Sequence, residues 1–127
     1  VGWRGRIPAD ELCSRIGVLA VGLAPYADTA FNRASFPLKT FDYLAAGVPV
    51  VSSDLPASRW IGSECVETAE GTVGFVSAVR SRVEAVRRGE STVELADRCR
   101  ELARSHSWAR RAQELLTSID GVRHPGA

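Results

Sequence analysis

Residues 36–53, FPLKTFDYLAAGVPVVSS, predict a short helix that turns directly into a buried strand. Pro37 suits the first turn of a helix, where a missing N–H costs nothing, and Gly47 suits the left-handed residue that ends one. Residues 48–51 form an apolar run rich in β-branched side chains, which is typical of a strand covered on both faces in a parallel sheet. This junction predicts an α/β layer structure.

The rest of the chain alternates in the same way between helical patterns and short apolar runs. Besides the helix that follows Pro37, helices are predicted over residues 10–16, 56–61 and 72–88, then after a capping box of Ser91 and Glu94, and finally after Ser107. Strands are predicted at residues 18–24, 48–51 and 65–68, and residues 25–35 are predicted to be a loop. Three strands are fewer than the roughly four to six of a usual sheet, so we expect a partial sheet.

The predicted inward faces of the last three helices follow from apolar residues spaced by three and four. These residues are Val76, Val79, Val83 and Val86 on the first helix, Leu95, Cys99 and Leu102 on the second, and Trp108, Ala112, Leu115 and Ile119 on the third. Residues 122–127 are predicted to be a frayed tail.

The composition fits one soluble globular domain of 127 residues, with 45% hydrophobic and 24% charged residues. A net charge of +1 argues against a general nucleic-acid-binding protein. No methionine occurs, so we expect the chain to be a piece of a longer protein. Cys13, Cys65 and Cys99 lack the spacing of metal ligands and are expected to be buried free thiols in a reducing cytosol.

Lys39 and Asp42 are the residues of the central segment that can carry chemistry. They are three positions apart and therefore share one face of the predicted helix. A helix N-terminus offers N–H groups and a partial positive charge, and Lys39 adds a full charge, so the segment could hold a phosphate. Asp42 could accept hydrogen bonds from hydroxyl groups, and a nucleotide sugar carries both kinds of group. The alternative is a surface ion pair between Lys39 and Asp42.

The central segment resembles the donor-binding motif of the glycosyltransferase group 1 family, the family 4 type with the GT-B fold. Flanking segments that share the resemblance are GRIPADEL at residues 5–12, VGLAPY at 21–26 and HSWARRAQELL at 106–116. The resemblance implies a partial Rossmann-like sheet with flanking helices and a helical C-terminus. Residues 1–120 would be part of the C-terminal nucleotide-sugar-binding domain, residues 121–127 a flexible tail, and a missing N-terminal domain would bind the acceptor.

The resemblance also implies an activity: retaining transfer of a hexose from a nucleoside-diphosphate sugar, without a metal or other cofactor. Lys39 would be catalytic and contact the diphosphate or the transferred sugar, and Asp42 would hold the ribose. Donor-binding residues would be Phe36, Pro37, Leu38, Lys39 and Asp42, with Arg6 and Ile7 beside the base. The fragment alone would be inactive.

Two departures from the family pattern keep a second function open. The first acidic residue of the family motif falls on Ala34, and Pro37 has no N–H to offer a ligand. The alternative is therefore a non-catalytic sugar-nucleotide-binding fragment or pseudoenzyme. An unrelated dinucleotide-binding module is a further alternative, although the sequence contains no G-x-G-x-x-G motif.

Each of the remaining candidate residues has a structural interpretation besides the functional one. Arg33 could reach a phosphate or could be an exposed loop residue, and structural roles are expected for His106 and His124. The arginines of the last three helices could favour an anionic membrane surface or form a solvated face of mixed charge. We expect a cytoplasmic location, either free or at the inner membrane face, and a glycan or lipid-linked acceptor of cell-surface polysaccharide biosynthesis.

Overall fold

The structure is a computed structural model that describes residues 5–90 and 93–123. Its helices are α1 (Ala9–Ile16), α2 (Ala30–Ala34), α3 (Lys39–Ala45), α4 (Pro56–Ile61), α5 (Gly71–Arg87), α6 (Val93–Ser105) and α7 (Trp108–Arg123). Its strands are β1 (Gly22–Ala24), β2 (Val50–Ser53) and β3 (Val66–Ala69). Ser91 of the predicted capping box and His124 lie outside the described residues, and α7 includes residues 121–123 of the predicted tail.

The strands form one parallel sheet in the order β1-β2-β3. In the central strand, Val50 pairs with Gly22 on one side and with Val66 on the other. Val50 and Val51 point to opposite faces of the sheet, and both are fully buried. Helices therefore cover both faces of β2. The predicted α/β class with a partial parallel sheet is confirmed, and the arrangement is compatible with a Rossmann-like fragment.

The junction between α3 and β2 forms as the sequence predicts, with shifted ends. The helix begins at Lys39 rather than at Pro37, and Gly47 follows it with a φ of 81°. Val48 is buried just before the strand, which begins at Val50 and continues to Ser53. Gly47 thus supplies the positive φ that lets the chain leave the helix and enter the sheet at once.

Two predictions for the first part of the chain are wrong. β1 covers residues 22–24 rather than 18–24, and Val18 and Leu19 are 84% and 47% exposed. They lie in the turn after α1, where the Leu19 N–H donates to the Ile16 carbonyl. The predicted loop at residues 25–35 contains α2, because Thr29 caps this helix by accepting a hydrogen bond from the Asn32 N–H.

The predicted inward faces of the last three helices are correct only for α6. Cys99 is fully buried, and Leu95 and Leu102 pack against the core. On α5 the buried side chain is that of Ala78, and two valines of the predicted stripe are exposed. On α7 the predicted packing residue Trp108 is 79% exposed, because no described element covers that face.

The cysteines divide into one exposed and two buried thiols. Cys13 is exposed, contrary to the prediction, because it lies on the outer side of α1. Cys65 and Cys99 are buried and free, and both belong to the hydrophobic core. Across residues 5–90 and 93–123, no helix combines the length and the apolar character that crossing a membrane would need.

Candidate functional site

The carboxyl ends of the three parallel strands meet at one edge of the sheet, where ligands bind in open α/β sheets. Two cavities open at this edge. The first, called here the α2–α4 cavity, has a volume of about 260 Å³ and is lined by Tyr26, Phe31, Asn32, Ser35, Phe36, Pro37, Leu55, Ala57 and Ser58. The second, called here the edge cavity, measures about 410 Å³ and is lined by the three strand ends and the start of α5.

Tyr26 is the residue that connects the two cavities with Lys39. Tyr26 lines both cavities, and its backbone N–H donates a 2.9 Å hydrogen bond to Oγ of Ser53 at the end of β2. The Lys39 Nζ lies 4.7 Å from the centre of the Tyr26 ring, a cation–π contact. No sequence pattern assigned a role to Tyr26, although its place just after β1 was a signal for one.

Lys39 and Asp42 lie on the same helix without pairing with each other. Both side chains are exposed, and no ion pair joins them within the described residues. The surface ion pair that the spacing allowed is therefore absent. Lys39 instead faces Tyr26, and the Asp42 carboxylate remains one turn further along α3. Their predicted roles toward a diphosphate and a ribose stay predictions.

The turn before α3 already uses several of its backbone donors. The N–H groups of Leu38, Thr40 and Phe41 donate to the carbonyls of Phe36, Pro37 and Leu38, at 3.0, 2.9 and 2.9 Å. The N–H of Leu38, one of the predicted donor-binding residues, is thus engaged within the turn. The charge of Lys39 is consequently the main positive feature of this segment.

Only some of the other predicted site residues line a cavity. Phe36 and Pro37 line the α2–α4 cavity, whereas Leu38 is 62% exposed and does not line it. Arg6 and Ile7 are exposed in the segment before α1, and neither borders the α2–α4 cavity or the edge cavity. The structure therefore brings Phe36, Pro37 and Lys39 together around Tyr26, and it leaves the residues predicted to contact the base apart from them.

Two fork-shaped ion pairs lie near the cavities. Arg33 contacts both carboxylate oxygens of Asp28 at 2.5 and 2.6 Å, and Arg59 contacts those of Asp54 at 2.6 and 2.8 Å. The hydrogen bond from Arg59 lowers the pKa of Asp54, and the hydrogen bond to Asp28 raises the pKa of Arg33. Arg33 is exposed and already paired with Asp28. This agrees with its interpretation as an exposed surface residue rather than as a phosphate ligand.

An aromatic cluster supports the wall of the α2–α4 cavity. Phe36 stacks on Phe41 and meets Trp60 edge to face, each at a ring-centroid distance of 5.7 Å. His106 contacts Phe41 at 5.2 Å and Trp60 at 5.3 Å, which confirms a packing role for this histidine. Arg111 lies over the Trp60 ring at 5.7 Å. Trp60, which the sequence analysis did not single out, is thus the tryptophan that packs here.

Metal ligation has no candidate at this edge. Among the residues described, no group of three or more His, Cys, Asp or Glu side chains could hold a metal ion.

Comparison with known proteins gives one informative match. The chain is similar to the "Putative teichuronic acid biosynthesis glycosyltransferase TuaH" of Bacillus subtilis (strain 168). The two are 31% identical over 109 residues, which is 84% of this chain and 26% of the relative. The chain therefore spans about a quarter of the length of that relative.

The similarity extends over most of the chain, well beyond the central segment, and supports a relationship with a glycosyltransferase. No family model matches the chain, and no solved structure matches it. The GT-B fold that the sequence suggested therefore stays a prediction.

Proposed function

We propose that this chain is the donor-binding part of a glycosyltransferase that transfers a sugar from a nucleoside-diphosphate sugar to an acceptor. The observation that carries the proposal is the convergence of Lys39, Phe36 and Pro37 around Tyr26, at the carboxyl edge of the sheet. The similarity to a protein named as a glycosyltransferase gives independent support. Residues 1–120 would then form part of a C-terminal GT-B domain.

Lys39 would bind the diphosphate of the donor. The Lys39 side chain is exposed and forms no ion pair with a carboxylate of α3. Its ammonium group lies over the Tyr26 ring, where it is able to reach a ligand. During transfer, the bond between the anomeric carbon and the phosphate oxygen breaks, and the electron pair leaves with the diphosphate. A fixed positive charge would stabilise that developing charge, which makes Lys39 the catalytic residue of this chain.

Asp42 would bind the ribose. An ionised carboxylate offers two acceptor oxygens for two neighbouring hydroxyl groups, and such charge-assisted hydrogen bonds are stronger than neutral ones. Asp42 follows Lys39 by three positions on α3, so the two side chains would reach one ligand from the same face of the helix. Arg6 and Ile7 would contact the base, which requires the segment before α1 to approach the bound nucleotide.

The rest of the reaction lies beyond the residues of this chain. A second domain would bind the acceptor, a glycan or a lipid-linked sugar, whose hydroxyl oxygen bonds to the anomeric carbon and loses its proton. We propose retention of configuration, no metal requirement, and a cytoplasmic location at the inner face of the membrane. These proposals follow from the family resemblance of the central segment.

A non-catalytic sugar-nucleotide-binding protein is the second candidate, and Ala34 is the observation that favours it. Ala34 ends α2 and is exposed, directly before Ser35 in the wall of the α2–α4 cavity. Its methyl group cannot bind a sugar hydroxyl, whereas the resembling family has an acidic residue at this point. A protein that binds the donor and never cleaves it would fit this difference.

Donor cleavage tests the proposal and separates the two candidates. The full-length protein that contains this chain is incubated with UDP-glucose, GDP-mannose and ADP-glucose, and the release of each nucleoside diphosphate is measured for the wild type, Lys39→Met and Arg80→Met. We expect release from one donor and a loss of about 10²–10³-fold in Lys39→Met, with no change in the control. Binding without release from any donor would favour the non-catalytic candidate. Neither binding nor release would contradict both.

A further inference from the structure

The α2–α4 cavity has an uncharged lining. Its walls are aromatic or aliphatic at Tyr26, Phe31, Phe36, Pro37 and Leu55, and no residue of its lining carries a formal charge. The volume of about 260 Å³ lies just below the roughly 300–1,000 Å³ of typical ligand pockets, so the cavity suits one ring-sized group rather than a whole nucleotide sugar.

The polar atoms of the lining are neutral and partly engaged. The Asn32 side-chain amide donates to the Ala27 carbonyl at 2.8 Å, and the Ser35 hydroxyl donates to the Phe31 carbonyl at 2.7 Å. The Ser58 hydroxyl is 2.7 Å from that of Ser52. What remains for a ligand is the Asn32 carbonyl oxygen with one N–H, the lone pairs of Ser35 and the hydroxyl group of Tyr26. These groups can bind hydroxyl or amide groups, and none can neutralise an anion.

The charged residues around the cavity give an anionic occupant no net attraction. Asp28, Asp54 and Glu70 line the neighbouring edge cavity. Asp28 forms an ion pair with Arg33, and Asp54 forms one with Arg59. Counted together with the ammonium group of Lys39, whose Nζ lies 4.7 Å from the centre of the Tyr26 ring, these three carboxylates and two guanidinium groups carry no net formal charge. Lys39 is used by the diphosphate in the proposed function, so an anion placed in the α2–α4 cavity would lose its hydration without gaining a positive partner of its own, which is costly.

We propose that the α2–α4 cavity receives the transferred sugar and selects an uncharged ring over a uronate. This inference rests on the proposed function and adds the class of sugar to it. Phe31 and Phe36 would stack against the apolar face of the ring, while Asn32 and Ser35 would bind its hydroxyl or acetamido groups. The aromatic cluster behind Phe36 holds that wall in place.

The test compares two probes that differ at C6 alone, methyl α-glucoside with a hydroxymethyl group and methyl α-glucuronide with a carboxylate. Amide NMR spectra of the ¹⁵N-labelled protein are recorded during titration with each probe, and the shifts at Asn32, Ser35 and Phe36 give the affinities. We expect the glucoside to bind, with an affinity at least about tenfold higher than that of the glucuronide. Equal or tighter binding of the glucuronide would overturn the inference, and so would an absence of shifts with both glycosides.

A charge variant provides the matched control. Ala57 lines the cavity from α4, so Ala57→Lys adds a cation there while Ala57→Gln adds a neutral side chain. We expect the preference to shift toward the glucuronide by about tenfold in Ala57→Lys and to persist in Ala57→Gln. The amide spectrum shows whether each variant keeps its fold. Unchanged selectivity in a folded Ala57→Lys variant would contradict the neutral-cavity explanation.

Failure of this inference can be told apart from failure of the proposed function. UDP, GDP and ADP are titrated into the same labelled protein, and they report on the diphosphate site at Lys39 instead of on the sugar cavity. Binding of a diphosphate without the expected selectivity between glycosides would remove the inference alone. Selective binding of the glucoside without binding of any diphosphate would keep the cavity and remove the proposed nucleotide-sugar donor.

Discussion

The Lys39 Nζ lies 4.7 Å from the centre of the Tyr26 ring, and this contact ties the chain's one lysine to the carboxyl edge of the sheet. Tyr26 is itself held there, because its backbone N–H binds Oγ of Ser53 at the end of β2. The positive charge therefore stands beside both cavities of that edge, where a parallel sheet binds its ligands.

Replacing Lys39 with methionine should weaken the binding of a nucleoside diphosphate by about 1.5–3 kcal/mol, the usual range for a hydrogen bond to a charged group. Isothermal titration calorimetry of wild type and variant measures the difference. Arg80→Met removes an exposed charge from the unrelated surface of α5 and should leave the affinity unchanged. Equal affinities of wild type and Lys39→Met would take Lys39 out of the site.

Asp42→Asn should weaken binding of the intact nucleotide by about 1–3 kcal/mol, since the amide replaces an ionised acceptor with a neutral one. The same loss should be absent for a ligand that lacks ribose hydroxyls, such as a 2′,3′-dideoxynucleoside diphosphate. Glu84→Gln, an exposed change on α5, is the matched control. A similar loss for ribose and dideoxyribose ligands would contradict contact between Asp42 and the ribose.

Gly22→Ala should destabilise the fold by about 1–3 kcal/mol, as overpacking usually does. A methyl group at Gly22 would lie 2.6 Å from Cδ2 and 2.8 Å from Cδ1 of the Tyr43 ring. Gly74→Ala is the opposite case, because Gly74 lies inside α5 with open space around it, and it should stabilise the fold by about 0.5–1 kcal/mol. Urea unfolding measures both, and a Gly22→Ala variant as stable as the wild type would contradict the close packing of Gly22 against Tyr43.

The exposed thiol and the two buried thiols should differ in reactivity. Burial raises the pKa of Cys99 to about 12 from an ordinary value of 9.0. At pH 8, iodoacetamide should therefore modify Cys13 and spare Cys65 and Cys99 until the protein unfolds, which mass spectrometry detects. Rapid modification of Cys99 in the folded protein would be inconsistent with its burial.

The same pKa shift predicts how stability depends on pH. Between about pH 9 and 12 the unfolded thiol of Cys99 loses its proton while the folded thiol keeps it, so the folded state binds more protons. The free energy of unfolding should therefore fall as the pH rises through this window. Cys99→Ala should show a smaller decline over the same window, and identical slopes would remove Cys99 as a cause.

The central helix and strand could be predicted because their signals are local. Gly47 supplies the positive φ, and the apolar run beside it needs no distant partner to be read as a buried strand. Val18 and Leu19 misled the prediction because apolar character alone cannot distinguish a strand from a turn. The cap at Thr29 was a readable signal for α2 that the polar character of the segment obscured.

Only those residues of the candidate site that lie close together in the sequence could be predicted to meet. Phe36, Pro37 and Lys39 are near neighbours in the sequence, so their proximity follows from the local turn. Tyr26 and Trp60 come from other elements, and their approach to Phe36 and Lys39 depends on the order of the strands and on the packing of α4. No spacing pattern in the sequence encodes those contacts.

Mapping where a nucleoside diphosphate binds tests the central claim most directly. The ¹⁵N-labelled protein is titrated separately with UDP, GDP and ADP, and the shifted amide signals are assigned to residues. The account predicts that at least one ligand shifts the amides of Tyr26, Lys39 and Asp42. Shifts confined to the start of α5 around Gly71, or no shifts with any of the three ligands, would contradict it.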